Sequence, residues 1–145
     1  MSELARLLGR PAVTIDGVTT EVRRTKSGAL WAFLAYGNRW VDRSELLFLL
    51  WPDTVHAQAQ ANLRQLLRTV GKAPWGRRLE LDRRRVRLLV DSDVAEFAAA
   101  AGTRPKAALE AYGGRFLDGF HVDDAPEFEA WADIERLAGL ARRLA

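Results

Sequence analysis

One stretch near the middle of the chain carries the residue types that can recognise a base pair. At 100° per residue, His56–Lys72 predicts an amphipathic helix. Its apolar face contains Leu63, Leu66, Leu67 and Val70. The opposite face groups amide and guanidinium side chains around one small residue and consists of Gln58, Ala61, Arg64, Gln65 and Arg68, with Thr69 on its flank. Gln pairs with adenine and Arg with guanine in a major groove, but the same side chains also suit a face that only meets solvent.

Three consecutive arginines form a second basic feature. Arg83, Arg84 and Arg85 lie between two β-favouring runs, residues 79–82 and 86–90, and this pattern predicts a hairpin with a cationic tip. A charge run is often only a solvated turn, but here it follows the glutamine-arginine helix. Further residues suited to phosphate contacts lie near helix ends: Lys26, Arg43, Thr69 and Lys72. Together these features favour nucleic acid as the ligand.

The charge is divided unequally along the 145 residues. Residues 1–92 hold 16 Lys and Arg against 9 Asp and Glu, a net charge of +7, and residues 93–145 hold 6 against 10, a net charge of −4. A basic block favours a polyanionic partner, whereas an acidic block favours protein contacts or solvent. The chain contains no cysteine, as is common in the reducing cytoplasm. It has no secretory leader and no apolar run of about 18 residues, so we expect no membrane association.

No residue pattern indicates an enzyme, a metal or a small-molecule cofactor. Phosphate-binding, nucleophile-elbow and zinc-protease motifs are all missing from the sequence. His121 lies close to three carboxylates, Asp118, Asp123 and Asp124, but the spacing is not that of a zinc site. His56 is expected to point toward the apolar side of its helix as a structural residue. We therefore predict a non-enzymatic protein without catalytic or metal-binding residues.

Turn and cap signals place these features in an α+β fold. Asp16-Gly17 between β-favouring runs predicts a hairpin in an N-terminal antiparallel sheet. Helices are then predicted from Thr25 to Tyr36, from a cap at Asp42 to Trp51, and from His56 to a stop at Gly71. The hairpin over 79–90 comes last. Sheet, three helices and a cationic hairpin describe a winged helix, in which the third helix (56–70) enters the major groove and the wing contacts the backbone or minor groove.

The acidic second half predicts a small all-α module. One helix is capped by Ser92 or Asp93, a second begins near Pro105, and a third runs from Pro126 to the end of the chain. The last helix has an apolar stripe wider than a surface helix needs. We expect this stripe to form a homodimer or domain interface through Trp131, Ile134, Leu137, Ala141 and Leu144.

Seven segments together resemble a known family of bacterial regulators. LLGRPAVTIDG, RRTKSGALWAFLA, VDRSELLFLLWPD, ANLRQLLRTV and LELDRRRVRLLVDSDVAEF resemble the OmpR-type winged helix of antibiotic regulatory proteins (the SARP family). ALEAYGGRFLDGF and DAPEFEAWADIERLAGL are similar to the opening of their bacterial transcriptional activator domain, a tetratricopeptide-like module. The resemblance implies a winged-helix domain over residues 1–91 and a partial activator module over 92–145. The chain departs from the family pattern by stopping after three helices of the second module.

This resemblance implies a cytoplasmic transcription regulator that binds double-stranded DNA as a homodimer and helps to recruit RNA polymerase. Matched by position, base contacts fall on Gln58, Ala61, Arg64, Gln65 and Arg68, and wing contacts on Arg83, Arg84 and Arg85. The alternative is a winged helix that binds another protein and has no affinity for DNA, because a fold alone does not decide function.

Overall fold

The described part of the chain, residues 2–139 of a computed structural model, begins with a three-stranded antiparallel sheet. Its strands are β1 (Glu3–Arg6), β2 (Ala12–Ile15) and β3 (Val18–Glu21). Asp16 and Gly17 connect β2 to β3 with φ angles of 49° and 86°. Positive φ at both central residues is what a two-residue type I′ turn requires. The hairpin predicted from Asp-Gly is confirmed.

The first helix is buried on nearly every side. It is α1 (Lys26–Gly37), and its N-terminus is capped by the hydroxyl of Thr25, which accepts a bond from the backbone N–H of Gly28. Asn38 ends the helix in the left-handed conformation. All residues from 28 to 36 are buried. The predicted boundaries are therefore correct. Small residues in the helix let nearly all of its faces be covered.

The second helix starts without the predicted side-chain cap. Strand β4 (Val41–Asp42) leads directly into α2 (Arg43–Leu50), and the Asp42 carboxylate makes no capping hydrogen bond. The backbone N–H of Arg43 donates instead to the carbonyl oxygen of Arg84 at 2.8 Å. The start of α2 is thus tied to the hairpin that follows α3, an interaction that no local signal reveals.

The third helix, α3 (His56–Lys72), extends two residues beyond the predicted end at residue 70. Its four buried residues are Ala59, Leu63, Leu67 and Val70, so the apolar face is as predicted except that Leu66 is only half-buried. Gly71 lies inside the helix rather than stopping it. The helix ends because Pro74 disfavours helical geometry at Ala73, whose φ and ψ are −77° and 148°.

The predicted wing is a three-stranded sheet of order β4-β6-β5. The hairpin itself is formed by β5 (Leu79–Leu81) and β6 (Arg85–Leu88), and β4 adds to the free edge of β6. Val86 and Leu88 on β6 are fully buried, whereas the arginines alternate with them. The alternation fixes which side chains of β6 face away from the core.

A fourth strand completes the N-terminal sheet and starts the last helices. It is β7 (Asp91–Ser92), which pairs in parallel with β1. Ser92 caps α4 (Asp93–Ala100), since its hydroxyl accepts a bond from the N–H of Ala95 at 3.1 Å. Of the two predicted caps, Ser92 is therefore the correct one.

Asp93 has a different role, because it holds the backbone at the end of β1. Its two carboxylate oxygens accept hydrogen bonds from the N–H groups of Leu7 and Leu8 at 2.8 and 3.1 Å. The carboxyl is buried. Burial raises its pKa above the ordinary value, and the two backbone bonds oppose that change.

Two further helices follow, α5 (Pro105–Ala111) and α6 (Pro126–Ile134). The predicted start at Pro105 is confirmed. Beyond Ile134 the backbone changes to a π-helical turn over Glu135–Gly139, so the prediction of one regular helix from Pro126 onward is wrong at this point. The guanidinium of Arg136 in this turn donates to the carbonyl oxygens of Phe116, Leu117 and Phe120.

The described residues form two compact units with an α+β fold of mixed sheet and helices. One unit contains residues 2–22, 90–120 and 130–139, and the other contains residues 23–89 and 121–129. The order of sheet, three helices and hairpin is winged-helix-like, as predicted. The second unit carries α1, α2, α3 and the wing, and therefore most of the cations singled out in the sequence.

Two glycines give a direct test of how α3 ends. A Cβ at Gly71 would meet no atom within 4 Å, whereas a Cβ at Gly76 would lie 1.7 Å from the carbonyl oxygen of Val70. We expect Gly71→Ala to raise the free energy of unfolding by about 0.5–1 kcal/mol, because alanine favours a helix interior. Gly76→Ala should lower it by at least about 1–3 kcal/mol through overpacking. Urea denaturation measures both, and a loss of stability in Gly71→Ala would contradict the helical position of Gly71.

Candidate nucleic-acid interface

The polar face of α3 is accessible, and two pairs of its side chains are held in fixed geometry. Gln58 donates from Nε2 to Oδ1 of Asn62 at 2.8 Å, and Arg68 donates from Nη2 to Oε1 of Gln65 at 2.9 Å. Gln58, Gln65 and Arg68 are exposed. The amide N–H donors of Gln65 and the remaining donors of Arg68 are therefore presented together, next to the half-buried Ala61.

Thr69 and Lys72 extend the same face to the end of the helix. The hydroxyl of Thr69 donates to the backbone carbonyl of Gln65 at 3.1 Å, which uses its proton within the helix. Lys72 is exposed in the last turn. Because α3 includes Lys72, this residue lies about 20° from Gln65 around the helix axis. It is therefore on the polar face itself and not beyond the helix end, where the sequence placed it.

One carboxylate organises the turn at the tip of the wing. Oδ1 of Asp82 accepts hydrogen bonds from the backbone N–H groups of Arg84 and Arg85 at 2.9 and 2.6 Å. Its Oδ2 accepts from the guanidinium of Arg85 at 3.1 and 3.2 Å. The bond from the backbone of Arg84, with those from Arg85, holds the pKa of the Asp82 carboxyl below its ordinary value. Asp82 stays ionised and keeps the turn closed at neutral pH.

The three wing arginines therefore divide into two kinds. Arg85 is paired with Asp82 and lies over the ring of Trp40, with its guanidinium carbon 4.8 Å from the ring centroid. Arg83 and Arg84 are exposed, and within residues 2–139 their guanidinium groups have neither a carboxylate nor an aromatic partner. Only these two of the three are free to meet an external anion.

Trp40 and Arg87 belong to this surface although the sequence did not identify them. The guanidinium carbon of Arg87 lies 4.4 Å from the Trp40 ring centroid, and Glu80 accepts from the same group at 2.8 and 3.0 Å. Stacking of this kind fixes the ring and both arginines. No local signal in the sequence reveals this contact, because it depends on the pairing of β4 with β6, in which Val41 lies opposite Val86.

Arg43 braces the wing against α2. Its Nη2 donates to the carbonyl oxygen of Asp82 at 2.7 Å, and its backbone N–H donates to that of Arg84. Arg43 is half-buried. The side chain predicted to contact phosphate is thus occupied in part by a structural contact, and it fixes the position of the wing turn.

An open cleft of about 640 Å³ lies between the start of α2, α3 and the wing turn. Its lining is strongly cationic with a single acidic residue: Asp42, Arg43, Ser44, Leu47, His56, Gln60, Leu63, Arg64, Arg83 and Arg84. The sequence placed Arg64 with the base-reading residues, and it borders this cleft as well. His56 lies about 20° around the helix from the buried Leu63, which also borders the cleft. It is thus on the apolar side as predicted, but it is exposed and is not the structural residue that was expected. Gln60 was missed.

Lys26 does not join the other cations. It is half-buried, and its Nζ lies 5.7 Å from the centroid of the Trp51 ring. This contact covers one face of Trp51 at the end of α2. Lys26 is not among the residues that line the cleft.

The residues around His121 form no metal site in the described part of the chain. His121 Nδ1 lies 3.1 Å from Oε1 of Glu129, and the same oxygen accepts the backbone N–H of Val122 at 3.2 Å. Residues 2–139 contain no group of three or more His, Asp or Glu able to hold a metal ion.

None of the helices described in residues 2–139 is both long and apolar enough to cross a membrane.

The predicted interface stripe is only partly accessible. Trp131 is half-buried and packs edge-on against Phe116, with ring centroids 5.9 Å apart. Ile134 and Leu137 are 56% and 83% exposed. Ala141 and Leu144 lie outside the described residues.

Replacing Asp82 tests the organisation of the wing turn. In Asp82→Ala the N–H groups of Arg84 and Arg85 lose their acceptor, and we expect their amide hydrogen exchange to become several-fold faster. Asp82→Asn keeps an acceptor oxygen for the backbone and loses the ion pair, so its exchange should be intermediate. The measurement is amide exchange by NMR. Unchanged exchange in Asp82→Ala would show that the carboxylate does not hold the turn.

Comparison with known proteins identifies the fold. No protein-family model and no curated protein matches the chain. A solved structure, "Mycobacterium tuberculosis EmbR in complex with low affinity phosphopeptide", is similar over 97% of this chain, with a TM-score of 0.66 and 23% sequence identity. The match spans 43% of the EmbR chain. The chain therefore has the fold of the corresponding part of EmbR.

Proposed function

We propose that the protein is a bacterial transcription regulator that binds double-stranded DNA with sequence preference. The observation that carries this proposal is the position of the exposed glutamine-arginine face of α3 beside a cleft lined by four arginines. A helix of this size fits a B-DNA major groove, and free guanidinium groups at its side suit the phosphates that border the groove.

Base contacts are assigned to the polar face of α3, made up of Gln58, Ala61, Arg64, Gln65 and Arg68. The bond between Gln65 and Arg68 restricts both side chains before DNA arrives. Such restriction lowers the conformational entropy lost on binding. The half-buried Ala61 leaves room for a base edge between the longer side chains.

Contacts to the DNA backbone are assigned to residues at the border of the polar face of α3. Arg83 and Arg84 contribute unpaired guanidinium groups, and Lys72 contributes an exposed ammonium in the last turn of α3. Such contacts position the protein on the duplex and supply salt-dependent affinity without sequence information. Arg43 and Arg85 act mainly by holding the wing turn.

Sequence and fold support this role separately. The sequence resembles SARP-family regulators, with a winged-helix domain over residues 1–91 and a partial activator module over 92–145. The fold similarity to EmbR supports the order of helices and hairpin that DNA binding needs. In this proposal the protein is not an enzyme, requires no cofactor, works in the cytoplasm on the nucleoid, and assists RNA polymerase.

A second candidate function is binding of another protein. It is favoured by the phosphopeptide in the EmbR complex and by the exposed Ile134 and Leu137. The EmbR complex concerns a chain of which this one matches 43%. The two functions differ in salt dependence, because DNA binding releases counterions from the duplex.

Single alanine variants separate base reading from phosphate binding. We expect Gln65→Ala and Arg68→Ala each to cost about 1–3 kcal/mol on a preferred sequence and to relax the preference at one base position. Arg84→Ala should weaken binding to all sequences alike and reduce the salt slope by about one. Arg104→Ala, which removes an exposed arginine just before α5, is the charge-matched control and should change neither quantity.

Fluorescence anisotropy with labelled duplexes at two salt concentrations measures these effects. An unchanged sequence preference in Gln65→Ala would show that the reading face is assigned wrongly. Absence of salt-dependent binding by the unmodified protein would favour the protein-binding role instead.

Homodimer formation is a separate part of the proposal. Leu137 is 83% exposed, and burial of such a side chain in an interface stabilises association. We expect sedimentation at micromolar concentration to show a dimer that Leu137→Glu converts to a monomer. Leu109→Glu, at a residue 74% exposed on α5, is the matched control and should leave the dimer intact. A monomer both with and without DNA would exclude dimer formation through this surface.

A further inference from the structure

His56 is the first residue of α3 and lies at the edge of the arginine-lined cleft. It is exposed, and no residue described here accepts or donates a hydrogen bond at its imidazole. The chain has two histidines, and the other, His121, is bonded to Glu129. His56 is thus the histidine that is free to respond to a ligand in the cleft.

The charged groups that share the cleft with His56 come from four parts of the fold. Asp42 lies at the end of β4, Arg43 begins α2, and Arg64 is on α3 itself, while Arg83 and Arg84 come from the wing turn. The cleft thus places four positive groups and one negative group around the imidazole. A phosphate bound among them would stabilise imidazolium, because a neighbouring anion favours the protonated form.

We propose that the cleft binds a phosphate of the DNA backbone and that His56 takes up a proton as it contacts this phosphate. This inference rests on the proposed DNA-binding function. Imidazolium offers N–H donors at both ring nitrogens, whereas neutral imidazole offers one. The neighbouring Arg64, Arg83 and Arg84 supply the permanent charge of the site, and Gln60 supplies a neutral donor from the next turn of α3.

The sign of the pH effect follows from proton uptake. When the complex binds more protons than the free protein, affinity is highest where histidine is protonated and decreases as the pH rises through its titration range. The DNA phosphates and the arginines keep their charges throughout this range. DNA affinity should therefore be lower at pH 8 than at pH 5.5, although the helix and the wing are unchanged.

The test measures affinity for a labelled random-sequence duplex from about pH 5.5 to about pH 8 at constant ionic strength. We expect the Kd for the duplex to be about three- to tenfold lower at pH 5.5 than at pH 8. A tenfold change corresponds to one unit of difference in the pKa of the linked group between free and bound protein. His56→Gln should bind with an affinity nearly independent of pH. His56→Lys, which keeps a positive charge at every pH used, should bind tightly at both ends.

His121→Gln is the matched control and should retain the pH dependence of the unmodified protein. Calorimetry in two buffers of different ionisation enthalpy measures the number of protons taken up on binding. The unmodified protein should take up as much as one proton for each molecule that binds DNA, and His56→Gln should take up fewer. Binding that is independent of pH, or equally pH-dependent in His56→Gln, would overturn this inference and leave DNA binding intact. Absence of binding at every pH would instead contradict the proposed function.

Discussion

Repulsion among closely spaced arginines is the constraint on which the candidate interface depends. Arg43, Arg83, Arg84, Arg85 and Arg87 come from one short segment and the start of α2, and like charges this close oppose a fixed structure. A few acceptors hold them in place. Asp82 closes the turn and pairs with Arg85, Glu80 pairs with Arg87, and the Trp40 ring lies against both guanidinium groups. Arg83 and Arg84 remain unpaired, and both line the cleft.

The cleft adjoins α3, so the helix presents two polar surfaces that a ligand could contact. The face with Gln65 and Arg68 carries donors suited to base edges, and the neighbouring flank with His56 and Gln60 lines the cationic cleft. Arg64 lies between the two. The apolar side, with Leu63 and Leu67 buried, anchors the helix to its unit. In the proposed DNA complex, different surfaces of α3 supply salt-dependent affinity and sequence preference, so single substitutions should separate the two.

The sequence predicted well those elements whose structure depends mainly on residues that are close together in the chain. The Asp16-Gly17 turn requires positive φ, and the apolar spacing of α3 allows only one buried side, so both were predictable. The free or paired state of each arginine was not, because it depends on the pairing of β4 with β6. The exposure of His56 likewise depends on α2 and the wing turn, which are distant in sequence.

Selection of bound sequences from a random pool of double-stranded DNA tests the central claim most directly, because one experiment examines binding and sequence preference together. We expect successive rounds to enrich a motif with purine positions suited to glutamine and arginine contacts, and we expect less of the pool to be retained at high salt. A pool that is not retained at low salt, or is retained without enrichment of any sequence, would contradict the claim that α3 reads DNA.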